Sequence, residues 1–347
     1  MMARVLVTGF EPFSNHSTNI SEDLVKTLGK DLIVGDPWSE IRDYELKDIE
    51  IKLDTEILSV DEYGAKLTSE MLSFGEQWDA IIHLGLCQNC HTPRIELLAQ
   101  NIIDMTIKDN SGRQLRQHRI GSTEHKSTVN SNLIFTNNGI MNADISFDAG
   151  KFVCNETYYN TLSKIREVNT EGNFTPCLFL HLPDYDKISL QLAKELLLNI
   201  IGRILFKPVI SVAAGAIVNQ QKMLVAKRND GENMGLWEFP GGKFEWGENQ
   251  SEAINRELKE EFNWNVKSVK SFGKWFHSTE KVDIDLNVEI CEFIGPIPNL
   301  EEKENWTSHD EVKWIVDEGE VDEYIGIDRL VATELSKELL NPSSSFT

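Results

Sequence analysis

Glu257, Glu260 and Glu261 stand three and four residues apart, so a helix through them gathers three carboxylates on one face. Like charges this close repel unless a cation sits among them, and an oxygen-only site suits Mg²⁺ or Mn²⁺. Such a metal can bridge a diphosphate and activate water. Three glutamates alone describe a solvated acidic face equally well. The run Gly242-x5-Glu248-x7-Arg256-Glu257-Leu258-x-Glu260-Glu261 is far more specific, because it sets a glycine turn, a carboxylate and a cation at fixed distances from the cluster. A second constellation, Cys154, His181 and Glu96, lies in the first half of the chain. A thiol nucleophile, an imidazole base and an orienting carboxylate make a hydrolytic triad, although by type alone the three also fit core packing. Cys87-Gln88-Asn89-Cys90-His91 matches a haem-attachment pattern, whose chemistry requires export, and one pair of cysteines falls short of a zinc site. A redox pair is the remaining chemical use. The five cysteines, odd in number, do not predict a disulfide framework.

The positioning elements follow from periodicity. RVLVTGF, DAIIHLGL and TPCLFLHLP are short apolar runs of buried-strand type, and IEIKLDTEIL alternates like a strand. ISEDLVKTL and ISLQLAKELLLNIIGRILF carry helical periodicity, so the first half predicts a parallel or mixed α/β sheet. A turn at Asp148–Gly150 precedes a helical stretch with Phe152, Tyr159, Leu162 and Ile165. Cys154 therefore falls near a helix N-terminus, where the dipole and free N–H groups favour thiolate. His181 falls at the C-terminal end of a strand, where the sites of α/β sheets lie. Lys207-Pro208 interrupts the pattern, and VISVAAGAIV-NQQ-KMLVAKR predicts a hairpin. Asn249 and Glu252 are spaced as a capping box, and Ile254, Leu258 and Phe262 form the buried stripe of the helix that follows. The expected organisation is two domains, 1–206 and 209–341, with 342–347 as a disordered tail.

Composition narrows the function. The net charge of −22, from 56 acidic and 34 basic residues, argues against a nucleic-acid polymer or an anionic membrane as partner. A free nucleotide stays compatible, because a divalent metal and a few local cations can hold a phosphate. No apolar run reaches the ~18 residues of a membrane span. The start, MMARVLVTGF, has the pattern of a first strand rather than of a signal peptide, which predicts a cytoplasmic protein.

The glycine–glutamate run resembles the Nudix hydrolase box, G-x5-E-x7-RE-U-x-EE-x-G-U with U apolar, over roughly 209–340. Every charged position matches; the late glycine is Asn263, the next-best residue for a left-handed helix end. The resemblance implies a smaller α/β/α sandwich with a mixed sheet. It also implies metal held by Glu257, Glu260, Glu261 and a carbonyl of Gly241 or Gly242, with Arg256 orienting a glutamate and Glu248 in support. VAKRNDGENMGLWEFPGGKFEWGE resembles the MutT-type branch, which converts nucleoside triphosphates to monophosphates. That branch often has a carboxylate six residues before a Trp. Here Trp314 is preceded at that distance by Ser308, leaving Asp310, Glu311 or Glu304 as substitutes. Asp328 lies where that branch reads the base. As a carboxylate it would accept from cytosine's amine, and protonated it would read an oxidised purine.

RVLVTGFEPF, EL-x-A-x-NI-x-D-x4-DN-x-G, DAGKFVCN and FLHLP resemble pyroglutamyl peptidase I in order and spacing over nearly all of 3–205. That resemblance implies an α/β/α sandwich and cofactor-free removal of N-terminal pyroglutamate through an acyl-enzyme. Cys154 would be the nucleophile, His181 the base and Glu96 the acidic member. Phe10 and Phe13 would stack on the lactam, and Asn19 would lie near the pocket. Ser14 replaces the family's glycine after EPF, and Cys90 stands where an arginine is often found. The expected function is a bifunctional hydrolase. One half acts on a pyroglutamyl peptide or lactam and the other on a CTP-like or oxidised-purine triphosphate, and a homo-oligomer is compatible with both. The alternatives are a first half that only binds or dimerises, and two halves that process one conjugate.

Overall fold

In the computed structural model, residues 2–130, 143–169, 172–245, 248–304 and 306–340 are described, so the expected tail lies outside them. The chain forms two compact units, the first ending at Phe206 and the second beginning at Lys207, with Ile41–Asp43 grouped with the second.

The first unit contains β1 (Met2–Phe10), α1 (Ile20–Lys26), β2 (Asp31–Val34), β3 (Ile49–Leu58), α2 (Glu62–Ser73), β4 (Ala80–Leu86), β5 (Arg94–Glu96), β6 (Leu98–Ala99), β7 (His125–Lys126), β8 (Asp144–Ser146), α3 (Val153–Val168), β9 (Cys177–Leu182) and α4 (Leu190–Leu205). Among the described residues, seven of these strands form one sheet in the order β2-β3-β1-β4-β9-β5-β8. β3, β1, β4 and β9 run parallel, and β5 runs antiparallel to β9. The apolar runs read from the sequence are these central strands, buried on both faces. Leu6, Phe10, Ile81 and Phe179 face the layer of α2 and α3, while Val5 and Val7 alternate to the other side, where α1 packs with α4. β5 and β8 have no counterpart in the sequence reading. Each is three residues long, too short for a period to show.

Strand order reverses beside β1, since the chain passes from β1 to β3 on one side and to β4 on the other. A crevice at the carboxyl ends of β1 and β4 follows from that reversal.

The second unit contains β10 (Val209–Asn219), β11 (Lys222–Arg228), β12 (Trp237–Glu238), β13 (Gly241–Lys243), α5 (Gln250–Phe262), β14 (Val266–Ser278), β15 (Asp283–Phe293), β16 (His309–Ile315) and α6 (Asp328–Leu340). Its sheet is mixed: β10 runs parallel to β15 and antiparallel to β13 and β11. The predicted hairpin turns at Gln220 and Gln221, both left-handed, and its two strands then diverge after two paired positions. α5 covers one face with Ile254, Leu258 and Phe262, the stripe read from the sequence, joined by Ala253. α6 covers the other with Val331, Ala332, Leu335 and Leu339. Asn249 and Glu252 form the complete capping box, and Asn263 ends α5 at φ 59°, the conformation for which asparagine is suited. Among the described residues, no helix is long and apolar enough to cross a membrane.

Candidate active sites

In the first unit, Cys154 is the second residue of α3, a free thiol at intermediate exposure. The turn before it is built by Asp148, whose Oδ1 accepts from Gly150 N (3.0 Å), with Gly150 at φ 80°. The N-cap, Phe152, supplies no side-chain acceptor, so the first-turn N–H groups are not capped from that residue. Asn155 then fixes the helix start. Its Oδ1 accepts from Gln100 N, and its Nδ2 donates to the carbonyls of Gln100 and Ile102. That role was legible only as the last letter of DAGKFVCN.

His181 lies on β9, and its Nδ1 is 2.8 Å from Glu96 Oε1 on the neighbouring β5. Glu96 is 1% exposed, and its Oε2 is buried without a hydrogen-bond partner. Burial opposes a charge on His181, but hydrogen bonds with Cys154 and Glu96 outweigh it and raise the imidazole to about 9. The fold thus brings Cys154, His181 and Glu96 into one chain of contacts.

A pocket beside the thiol is lined by Phe10, Phe13, Asn19, Val60, Phe152 and Cys154, among others. Phe10 is fixed in the core against Phe179, whereas Phe13 sits on the loop and packs on Phe152. Asn19 uses its polar atoms within the chain. Oδ1 caps α1 through Ser21, and Nδ2 donates to the Glu11 carbonyl, so it shapes the loop that carries Phe13. Ser14 in that loop has φ 57°, which explains why glycine suits the position.

Sequence reasoning missed Gly85. A Cβ there would lie 2.7 Å from the Phe179 ring and 3.1 Å from Cys154 Sγ, so only glycine lets β4 pass beneath the thiol. Gly85→Ala is expected to destabilise the protein by about 1–3 kcal/mol and to change the alkylation rate of Cys154. Urea unfolding and iodoacetamide kinetics check both.

In the second unit, Glu257 and Glu261 lie one turn apart on α5 and are largely buried, while the Glu260 side chain is 61% exposed. Desolvation raises both buried carboxyls above their ordinary value. Arg256 forks onto Glu248 at 2.6 and 3.0 Å, donates to the Lys243 carbonyl, and reaches Glu257 at 2.9 Å. A Cβ on Gly242 would fall 2.2 Å from the Glu257 carboxyl, so this glycine brings backbone against the carboxylate. Glu261 Oε1 accepts from Ser308 Oγ, and its Oε2 is buried without a hydrogen bond.

Among the described residues, no group of three or more acidic, histidine or cysteine side chains is arranged to hold a metal ion. The oxygen donors nevertheless fit a hard divalent cation of the kind held by one or two carboxylates, water and substrate phosphates. The orphaned oxygen of Glu261 and the cradle at Gly242 are the observations that fit.

Ser308 itself bonds Glu261; Asp310, Glu311 and Glu304 are exposed, and Glu238 and Glu257 are the carboxylates whose charge Glu261 feels. Glu238 Oε1 is 2.7 Å from His309 Nε2 and 2.9 Å from Arg228, and His309 Nδ1 lies 3.7 Å from Glu261 Oε2. These partners were missed because they come from three separate strands with no common spacing.

Asp328 opens α6 and is buried, with Oδ1 accepting from Phe239 N at 2.8 Å. Burial raises its carboxyl to about 8, from 3.8. Between those values the folded chain holds a proton that the unfolded chain has lost, so the wild type loses stability as pH rises from about 4 to about 8. Asp328→Asn keeps the acceptor and lacks the titration. Its stability relative to wild type is expected to grow over that range, as measured by thermal unfolding at pH 5 and pH 8.

Residues 3–195 match the family model for pyroglutamyl peptidase, and residues 209–334 match that for the NUDIX domain. The chain is 34% identical over 193 residues to the pyrrolidone-carboxylate peptidase of Fusobacterium nucleatum, covering 52% of this chain and 78% of that one. It is 28% identical over 189 residues to that of Coprothermobacter proteolyticus, covering 52% and 82%. The solved pyrrolidone carboxyl peptidase from Thermococcus litoralis superposes with a TM-score of 0.48 at 22% identity, covering 58% of this chain and 93% of that one.

Proposed function

Since the chain belongs to the pyroglutamyl peptidase family and carries a NUDIX domain behind it, and is therefore a two-domain hydrolase, we propose that it performs two separate hydrolyses. The first domain, 1–206, removes N-terminal pyroglutamate or a related lactam amide. The second, 209–341, hydrolyses a nucleoside triphosphate to monophosphate and pyrophosphate.

For the first reaction, the observation that carries the reading is the contact chain from Cys154 through His181 to Glu96. His181 takes the thiol proton, Cys154 Sγ attacks the lactam-bearing amide carbonyl, and His181 returns the proton to the departing amine. Water then cleaves the thioester. Glu96 orients His181 and stabilises its cationic form. The uncapped first turn of α3 faces the developing oxyanion. Phe10 and Phe13 hold the lactam ring. The same contact chain supports catalysis over a purely binding or dimerising role, which would not need a buried carboxylate behind the histidine.

For the second reaction, Glu257, Glu260, Glu261 and the Gly242 carbonyl would hold Mg²⁺ or Mn²⁺, which supplies charge neutralisation at the phosphates and a more acidic water. Arg256 and Glu248 fix the start of the glutamate cluster. Glu260 or Glu261, the latter braced by Ser308, would take a proton from the attacking water. Asp328, protonated at neutral pH with Oδ1 already used, presents Oδ2–H as a donor. That favours an oxidised purine over a cytosine amine, which needs an acceptor.

The test uses the intact protein with a fluorogenic pyroglutamyl amide and a panel of triphosphates, with and without EDTA. Pyroglutamyl turnover that survives EDTA, together with triphosphate turnover that EDTA stops, is the expected result. An Asp328→Ala variant that keeps the wild-type order of preference across the triphosphates would remove the base-reading role.

A further inference from the structure

Cys87 and Cys90 form a disulfide, with Cα atoms 5.4 Å apart, in the loop between β4 and β5. It closes too short a loop to contribute much to global stability. Its location is more telling. β9, which carries His181, has β4 on one side and β5 on the other, with Gly85 and Arg94 both in register with His181. The disulfide loop therefore joins the two strands that flank the histidine. One end of the loop follows Gly85, beneath Cys154 Sγ, and Leu86, in the pocket wall. The other end leads in two residues from Arg94 to Glu96, the partner of His181. Cys87 N donates to the carbonyl of Leu182, the residue after His181 (2.8 Å). At the loop tip, Gln88 meets His16 of the loop that carries Phe13, and its carbonyl accepts from Lys187 Nζ (3.2 Å).

The two residues differ in exposure. Cys90 is 0% exposed, whereas Cys87 is partly exposed beside the exposed Gln88 and Asn89. An incoming thiolate can reach Cys87 and not Cys90.

The geometry points to Cys87–Cys90 as a reversible modification site, reduced by a small or protein dithiol, whose disulfide form holds the peptidase site in its working arrangement. The reductant's thiolate attacks Cys87 Sγ, the S–S bond breaks, and Cys90 leaves as thiolate and takes a proton. The reductant's second thiol then displaces Cys87, so two electrons and two protons pass to the pair and the reductant becomes a disulfide. Freed of its cross-link, the loop loosens its hold on β4, β5 and the loop bearing Phe13.

The effect on turnover rests on the peptidase reading above, so the experiment also reads the site without turnover. The full-length protein is poised in mixtures of reduced and cyclic oxidised dithiothreitol, which does not cap a lone thiol such as Cys154 stably. Each sample is tested for the Cys87/Cys90 state by alkylation and mass spectrometry, for the carbamidomethylation rate of Cys154, and for kcat/KM on a pyroglutamyl amide. The expected result is at least a threefold fall in kcat/KM and at least a threefold change in Cys154 alkylation, both following reduction of the pair. A Cys87→Ser/Cys90→Ser variant should stay at the reduced value throughout. Flat Cys154 reactivity while the pair titrates, a pair that resists reduction in the folded protein, or a double variant that follows the wild-type curve would each overturn the proposal. Absence of turnover in both forms would overturn the peptidase reading, and the Cys154 alkylation rate would still decide the coupling.

Discussion

Cys154→Ala is expected to lower hydrolysis of a pyroglutamyl amide by at least about 10⁴-fold, since removing the nucleophile of a triad leaves only binding and oxyanion stabilisation. Triphosphate hydrolysis should be unchanged, because the residues proposed for it lie wholly in the second unit. The loss should come with a second signature. His181 is raised to about 9 partly by its hydrogen bond with Cys154. Without that partner its titration, followed by NMR, should move down. The linkage has a definite sign. A histidine whose folded value exceeds its unfolded 6.5 contributes stability that is complete below about 6.5 and is lost as pH rises through about 9. The pH dependence of unfolding over that window should therefore weaken in the variant. Glu96→Gln should also reduce turnover, by less than Cys154→Ala, since it removes the orienting charge and not the nucleophile. Full peptidase activity in Cys154→Ala would remove the thioester mechanism.

Glu261→Gln is expected to lower metal-dependent triphosphate hydrolysis by about 10²–10³-fold, the usual scale for losing one well-placed electrostatic group. The pyroglutamyl activity should persist. Glutamine keeps an acceptor for Ser308 Oγ, so the local contact survives. Folding should not suffer, because burial already disfavours the ionised Glu261 when no cation is bound. In EDTA the variant should be at least as stable as the wild type. Millimolar Mg²⁺ should raise the melting temperature of the wild type more than that of the variant, by preferential binding to the folded state. An equal Mg²⁺ response in the two proteins would mean that Glu261 is not a ligand.

Wherever chemistry depends on neighbours along the chain, the residues alone were enough. Asn249 and Glu252 cap α5, Ile254, Leu258 and Phe262 bury its stripe, and Asn263 ends it, because all of these act within a few residues of one another. The same holds for the turn at Asp148–Gly150 that sets Cys154 at a helix start, and for the double-sided burial of β1, β4 and β9. The Nudix-type run was legible because its spacing is local, and the peptidase half was legible as four separate words in order along the chain. Everything that depends on which strands lie side by side was decided only by the tertiary structure. Glu96 reaches His181 because a three-residue strand inserts antiparallel beside β9, and Gly85 is needed because β4 then runs under the thiol. His309 and Glu238 stand behind Glu261 because β16 and β12 both flank β11. The raised carboxyl of Asp328 is a consequence of its burial, which no local pattern encodes. Desolvation and cross-strand contact are sums over residues distant in sequence, so a periodic pattern can name the elements and cannot say what they press against.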